Sequence, residues 1–330
     1  MTPPRLPVAA YVDGVLGGDT VILARAITLV ESARPADAEA AAALLDALLP
    51  HTGRSRRVGI TGAPGVGKST FIDVLGLHLV RERGDRVAVL SVDPSSPISG
   101  GSILGDKTRM QRLALEEAAY IRPSPARGVL GGVARHTRET VLLCEAAGFS
   151  TILVETVGVG QSETAVKSMT DFFLLLLLPG AGDHLQGIKR GIIEMVDAIA
   201  ITKADGDLKA LAERARVEYR AALRLFPAPA DGWSPPVVTC SAMTPAGIAE
   251  IWDLVVTHRA HLESSGRLTL RRRAQSLDWM RELIGTGLDE VFRAAPRVAE
   301  ALPALEAAVG DGRTTAFAAA RELLAVFRDR

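Results

Sequence analysis

The run Gly62-Ala63-Pro64-Gly65-Val66-Gly67-Lys68-Ser69 has the spacing GxxxxGK[ST] of a phosphate-binding loop. Its glycines let backbone N–H groups turn inward around phosphate oxygens, and a helix starting here adds the positive end of its dipole. Lys68 is placed to bridge β- and γ-phosphates and the Ser69 hydroxyl to ligate Mg²⁺, with Thr70 completing the loop's contact with the nucleotide. The loop follows the apolar stretch VGIT and precedes STFIDVLG, the strand-then-helix context that the motif requires. A plain glycine-rich turn would not need eight matched positions in that context. The implied ligand is a nucleoside phosphate.

A metal that accompanies such phosphates needs carboxylates nearby. Glu155 ends the apolar run TILVE and is followed by Thr156-Val157-Gly158, so its carboxylate can hold Mg²⁺ while the Gly158 N–H meets the γ-phosphate. Asp93 follows the run VAVLSV and opens DPSSPISGG, and Asp106 lies in GDKTRM. Loops at the carboxyl ends of parallel strands are where open α/β sheets bind ligands. Asp93 is a candidate for orienting metal-bound water, and Asp106 for the same task or for activating the attacking water. The competing readings are a charged strand end for Glu155, a turn residue before proline for Asp93, and the cap of a helix KTRMQRLALEE for Asp106.

Base choice is carried by Thr202-Lys203-Ala204-Asp205, after the run AIAI. The Asp205 carboxylate can accept both N1–H and the exocyclic amine of guanine. Adenine has no donors there and would leave the carboxylate unpaired, which supports strong discrimination. The Lys203 stem can lie over the base face, and Ser241-Ala242, after VVTC, can bring backbone N–H groups to guanine O6.

These loops need a scaffold whose strand ends converge. Short apolar runs at Val58–Thr61, Val87–Val92, Ala119–Arg122, Thr151–Glu155, Phe172–Leu178, Ala198–Thr202 and Val237–Cys240 alternate with amphipathic segments. Runs such as LLLLL are polar on neither face, as parallel strands covered on both sides are. The expected class is α/β, a doubly wound, mostly parallel sheet. Residues 8–50 are Ala- and Leu-rich with helical spacing. Asp19 or Thr20 is expected to cap a first helix, Pro35 to interrupt, and Ala38–Leu49 to form a second. The basic stretch His51–Arg57 reads as a linker. Beyond Gly266 strands give way to helices at Leu268–Arg293, Arg297–Val309 and Thr314–Arg328. The expected organisation is a helical extension over 1–52, a P-loop domain over 53–265 and a helical segment over 266–330. Leu277, Met280, Ile284, Leu288 and Val291 recur at helical spacing in that last segment, and a symmetric dimer is the simplest way to cover them.

Composition narrows the function classes. Of 330 residues 48% are hydrophobic and 23% charged, with 38 basic and 38 acidic side chains. A chain without excess cationic charge is not expected to hold nucleic acid or a membrane surface non-specifically. Two distant cysteines, Cys144 and Cys240, build neither a disulfide framework nor a zinc module, and a reducing cytoplasm fits them. The longest strongly apolar run, Phe172–Leu178, is far shorter than the roughly 20 residues of a membrane span. The N-terminus has no basic start followed by an apolar stretch, so no secretory signal is expected. The only close histidine pair, His258 and His261, reads as part of a solvated helix face. Lysine is scarce, 6 against 32 arginines. Lys68, Lys107 and Lys203 fall in the motifs above. Lys189 follows the glycine-rich Gly180–Gly187, and Lys189 or Arg190 is a candidate for reaching the γ-phosphate when a partner orders that loop.

The segments GAPGVGKST, VDPSSPISGGSILGDKTRM, YIRPSP-RG-LGG, ILVETVGVGQSE and PGAGDHLQGIKRGIIEMVD followed by TKAD resemble the MeaB/ArgK-type GTPases associated with methylmalonyl-CoA mutase. The resemblance covers roughly Leu44 to Arg273. It implies a SIMIBI-class P-loop GTPase that converts GTP and water to GDP and phosphate with Mg²⁺. It also implies a homodimer acting as chaperone of the adenosylcobalamin-dependent mutase, gating cofactor loading and protecting or reactivating the enzyme. By position Lys68 and Ser69 match the phosphate and metal residues, Asp93, Asp106 and Glu155 the acidic residues around the metal, and Lys203 with Asp205 the base-reading pair. Thr202 stands where other GTPases carry Asn, which is expected to cost an amide tie between base loop and phosphate loop and to weaken nucleotide affinity. The alternatives are a kinase or ATPase linked to arginine/ornithine transport, and a metal-insertion GTPase.

Overall fold

A computed structural model describes residues 5–32, 34–92, 110–123, 130–156, 162–180, 190–226 and 232–328. The described strands are β1 Arg56–Gly62, β2 Val87–Val92, β3 Ala119–Pro123, β4 Thr151–Thr156, β5 Phe172–Leu177, β6 Ala198–Ile201 and β7 Val237–Thr239. All pair in parallel, in the order β3-β2-β4-β1-β5-β6-β7. Successive connections diverge on either side of β1. The crevice at its carboxyl end is therefore the topological switch point, where such sheets take their ligands.

Helices cover both faces. They are α1 Val8–Leu16, α2 Thr20–Val30, α3 Pro35–Leu48, α4 Lys68–Arg83, α5 Leu130–Ala146, α6 Ser162–Lys167, α7 Arg190–Ile193, α8 Lys209–Leu223 and α9 Ile248–Ser264, followed by α10 Arg267–Ala294, α11 Pro296–Gly310 and α12 Ala316–Arg328. The period of two in a strand sends alternate residues to opposite layers. In β5, Phe172, Leu174 and Leu176 join a cluster containing Phe71, Leu75 and Trp252 of α4 and α9. Phe173, Leu175 and Leu177 join the cluster of α1–α3, α5 and α8. Every side chain of this run is buried, each contributing roughly 1.5–3 kcal/mol. That two-sided burial is why the run carries no polar alternation.

The N-terminal region differs from the sequence expectation. Its described residues form three helices, because Gly17-Gly18 ends α1 before Asp19, whose carboxylate accepts from the N–H groups of Val21 (2.8 Å) and Ile22 (3.1 Å) and caps α2. Pro35 opens α3 rather than interrupting a helix, its missing N–H costing nothing in the first turn. The stretch read as a linker is fastened instead. The Gly53 N–H and the Arg57 guanidinium share the buried Glu145 carboxylate, at 2.8 Å and at 2.8–2.9 Å, and the Ser55 hydroxyl donates to Phe149 O at 2.5 Å. The described part of KTRMQRLALEE forms a single 3₁₀ turn, Leu113–Leu115, pinned by Asp73 of α4 through the Leu113 N–H (2.9 Å) and Arg112 (2.9 Å). A long helix would give up those two bonds.

The histidine expected on a solvated face is not there. His258 is 1% exposed. Its ring stands edge-on to Phe172 (5.2 Å) and Trp233 (4.8 Å), with Nε2 3.5 Å from Asp197. The polar neighbours that made this face of α9 look solvated flank a histidine that is itself core.

The chain divides into two compact units, Met1–Arg272 and Arg273–Arg330. In the second, α11 and α12 bury Val298, Ala319 and Leu323, and Phe292 meets Phe327 edge-on at 5.3 Å. No helix among the described residues is long and apolar enough to cross a membrane.

Candidate nucleotide site

The loop at the carboxyl end of β1 is shaped by its own backbone. Gly67 sits at φ +95, a conformation side chains rarely adopt, and directly precedes α4. At Gly62 a Cβ would lie 2.5 Å from Leu176 O of β5, so only glycine lets the loop leave the strand this close to its neighbour. Lys68 is nearly buried, and its Nζ donates to Gly62 O at 2.7 Å and Ala63 O at 3.4 Å. The ammonium is thereby folded into the loop. Ala63, Pro64, Gly65 and Thr70 are exposed, whereas Val66 is buried and anchors the loop.

Glu155 closes the site from β4. It lies in register with Ile60 of β1 and Ser91 of β2, is 3% exposed, and its Oε1 accepts from the Ser69 hydroxyl at 3.1 Å. An oxygen-only pair of this kind, one hydroxyl and one carboxylate at the mouth of a phosphate loop, suits a hard divalent cation. Below it the Thr156 hydroxyl donates to Thr61 Oγ1 at 2.9 Å, a buried bond joining the roots of the two loops. That bond escaped the sequence reading; a threonine at the end of each of two adjacent strands is the only signal for it.

The base loop is tied to the phosphate loop twice. The Thr202 hydroxyl donates to Val66 O at 2.8 Å, and Lys203 Nζ donates to Gly65 O at 3.1 Å. The tie expected to be lost with asparagine is thus made by the threonine hydroxyl. Lys203 holds a left-handed φ of 56, a strain of order 1–3 kcal/mol for a residue with a side chain. Such strain persists where surrounding bonds enforce it, here the Gly65 contact and the Ala204 N–H to Cys240 O at 3.0 Å.

Asp205 is oriented by Ser241, whose hydroxyl donates to Asp205 Oδ2 and accepts from the N–H groups of Met243 (3.1 Å) and Thr244 (3.2 Å). The Ser241 N–H donates to Ala246 O at 2.9 Å, so this residue contributes through its side chain as orienter of the carboxylate. Ala242 follows it in the same loop. The neighbouring Cys240 thiol is pushed up to about 12 by burial and stays protonated.

Lys68, Ser69, Glu155, Thr202, Lys203, Asp205 and Ser241 therefore come from four strand ends to one edge of the sheet. Asp93, Asp106, Gly158 and Lys189 lie outside the described residues.

A family model described as Methylmalonyl Co-A mutase-associated GTPase MeaB matches residues 23–297. The chain is 52% identical over 324 residues to a putative GTPase of Caulobacter vibrioides, covering 98% of this chain and 99% of that one. It is 46% identical over 327 residues to the Mus musculus protein named methylmalonic aciduria type A homolog, mitochondrial, covering 96% and 79%. The solved structure of a LAO/AO transport system kinase superposes with a TM-score of 0.77 at 37% identity, covering 99% of this chain and all of that one.

Proposed function

Because this chain belongs to the family of methylmalonyl-CoA mutase-associated GTPases, we propose that it is a GTP-hydrolysing chaperone of an adenosylcobalamin-dependent methylmalonyl-CoA mutase, gating cofactor loading and protecting or reactivating that enzyme. The observation that carries the guanine part is the bonded set Ser241–Asp205 on a loop tied to Val66 and Gly65. It holds a carboxylate, with one oxygen already committed, at a set distance from the phosphate loop.

In this reading Asp205 accepts the two guanine donors and the loop N–H groups from Gly62 to Thr70 receive the phosphates. The Lys68 ammonium exchanges its carbonyl partners for phosphate oxygens. Ser69 and Glu155 would hold Mg²⁺, which when bound neutralises charge on the β- and γ-phosphates. Asp93 is assigned to ordering metal-bound water, and Asp106 to the same task or to activating the attacking water. The mutase partnership rests on the family, and the cytoplasm is the assigned compartment.

Two measurements test this. Asp205→Asn should lose GTP and gain xanthosine triphosphate in calorimetry, since an amide can donate to the xanthine C2 carbonyl; unchanged GTP binding would refute the base assignment. Co-purification from extract should recover the mutase with a non-hydrolysable GTP analogue and less of it with GDP. The LAO/AO transport system kinase whose structure this chain resembles supports a second reading, phosphoryl transfer to an acceptor. Labelled γ-phosphate found on any acceptor other than water would favour it.

A further inference from the structure

Strand β2 is buried along its whole length, and Ser91 is its one polar residue. The period of two places Ser91 on the same side as Val87 and Val89, which join the cluster of Phe71, Ile72 and Leu75 of α4. Glu155 of β4 stands in register with Ser91 and, two residues beyond Leu153 of that cluster, turns to the same side. Adjacent strands lie about 4.7–4.9 Å apart, so the two side chains are neighbours at the amino end of α4, where the Ser69 hydroxyl donates to Glu155. On its other flank Glu155 is in register with Ile60, which has no polar side-chain atom to offer.

Ser91 is 1% exposed, and its Oγ has no hydrogen-bond partner among the described residues. A buried hydroxyl left in this way is unfavourable, and alanine would occupy the strand without that penalty. Orphaned buried groups accompany catalytic centres and sites for an ion or water. Here the neighbour in register is the carboxylate assigned to Mg²⁺.

We propose that Ser91 is a positioning residue of the cation site, its hydroxyl donating to the Glu155 carboxylate when Mg²⁺ is bound. The inference rests on the GTPase reading above and deepens it. An ionised carboxylate has about four acceptor sites, so a bond from Ser91 adds to the one from Ser69 and displaces nothing. Glu155 reaches the site on a flexible stem, and a bond to the neighbouring strand fixes which oxygen faces the cation. Partners that orient a ligating carboxylate from outside the ligand set are typically worth about 10–100-fold in metal affinity. Ser91 acts through Glu155 rather than on the phosphates.

The test titrates Mg²⁺ into the GDP complex of the full-length protein by calorimetry, beside GDP binding in excess EDTA and a thermal melt of the nucleotide-free protein. Ser91→Ala removes the hydroxyl, and Ser91→Cys keeps the bulk of the side chain with only a weak donor. Both should bind Mg²⁺ about tenfold more weakly while metal-free GDP affinity stays at the wild-type value. Ser91→Ala should melt no lower than wild type, because it removes an orphaned polar atom. A serine needed only for packing would lower the melt and the metal-free GDP affinity together. Wild-type Mg²⁺ affinity in either variant overturns the proposal, as does a loss of Mg²⁺ affinity matched by an equal loss of metal-free GDP affinity. A wild-type protein that binds no GDP would instead overturn the nucleotide reading itself, and one that binds GDP but no Mg²⁺ the metal assignment, and the role of Ser91 would fall with either.

Discussion

Replacing Thr202 by valine keeps the side chain's shape and removes one hydroxyl, which donates to Val66 O at 2.8 Å in a buried setting. The Leu177 carbonyl, also reached by this hydroxyl, keeps the Thr202 N–H at 2.8 Å, so the Val66 carbonyl is the group left without its donor. A net hydrogen bond is worth about 1 kcal/mol, and an abandoned buried carbonyl costs a further 1–3 kcal/mol. A total near 2 kcal/mol follows, because the base loop keeps its second tie through Lys203. Free energy of that size, if needed to form the base site, corresponds to about 30-fold weaker guanine nucleotide at 1.4 kcal/mol per decade. Calorimetric titration of Thr202→Val with GDP, beside a thermal melt, separates lost affinity from lost stability. Thr202→Asn should retain binding near wild type, since an amide can also donate to Val66 O. Wild-type affinity in Thr202→Val would refute the idea that this hydroxyl couples the two loops.

Glu155→Gln keeps an acceptor for Ser69 but removes the charge; phosphate release should fall on the order of 100-fold, as for loss of one preorganised electrostatic contact, with a weaker Mg²⁺ dependence and nearly unchanged GDP binding. Leu277, Met280, Ile284, Leu288 and Val291 are 41–62% exposed in the single chain, so the proposed homodimer should become a monomer in light scattering when Ile284 and Leu288 are both changed to Glu; a dimer that survives removes this face from the interface. For Asp197, burial raises the carboxyl, but the close approach of His258 and the charges of Lys167 and Arg271 outweigh it and hold the group below its ordinary 3.8. A group depressed in the folded state contributes stability that is complete above that value and lost as pH falls through the lower folded one. Acid melts should therefore show the advantage of wild type over Asp197→Asn shrinking below about pH 3.8, and a constant gap would contradict the assignment.

Most helix and strand limits beyond the N-terminal region were legible because they depend on neighbours within one turn or one run. The reading Leu268–Arg293 lies within a residue at each end of α10, and Val87–Val92 is β2 itself. The phosphate loop and the TKAD motif stood out for a related reason: contiguous residues form them, and spacing alone points to the chemistry proposed for them. His258 was misread because the three groups around its ring, from Phe172, Trp233 and Asp197, belong to other elements, and polarity along one helix says nothing about them.

Residue order alone settled the class of fold, and it marked out the phosphate-loop motif and the carboxylate proposed to read the base, since each is a local pattern with a physical cause of its own. Partner choice was settled only by the packed sheet. The Thr202 hydroxyl finds a carbonyl 136 positions away, and the Glu155 carboxylate a hydroxyl 86 positions away. Asp197 collects Lys167, His258 and Arg271 from three separate helices. Hydrogen bonds and ion pairs act over a few ångströms. Which groups come that close is decided by strand order and helix placement, and neither can be read from the spacing of residues within a single segment.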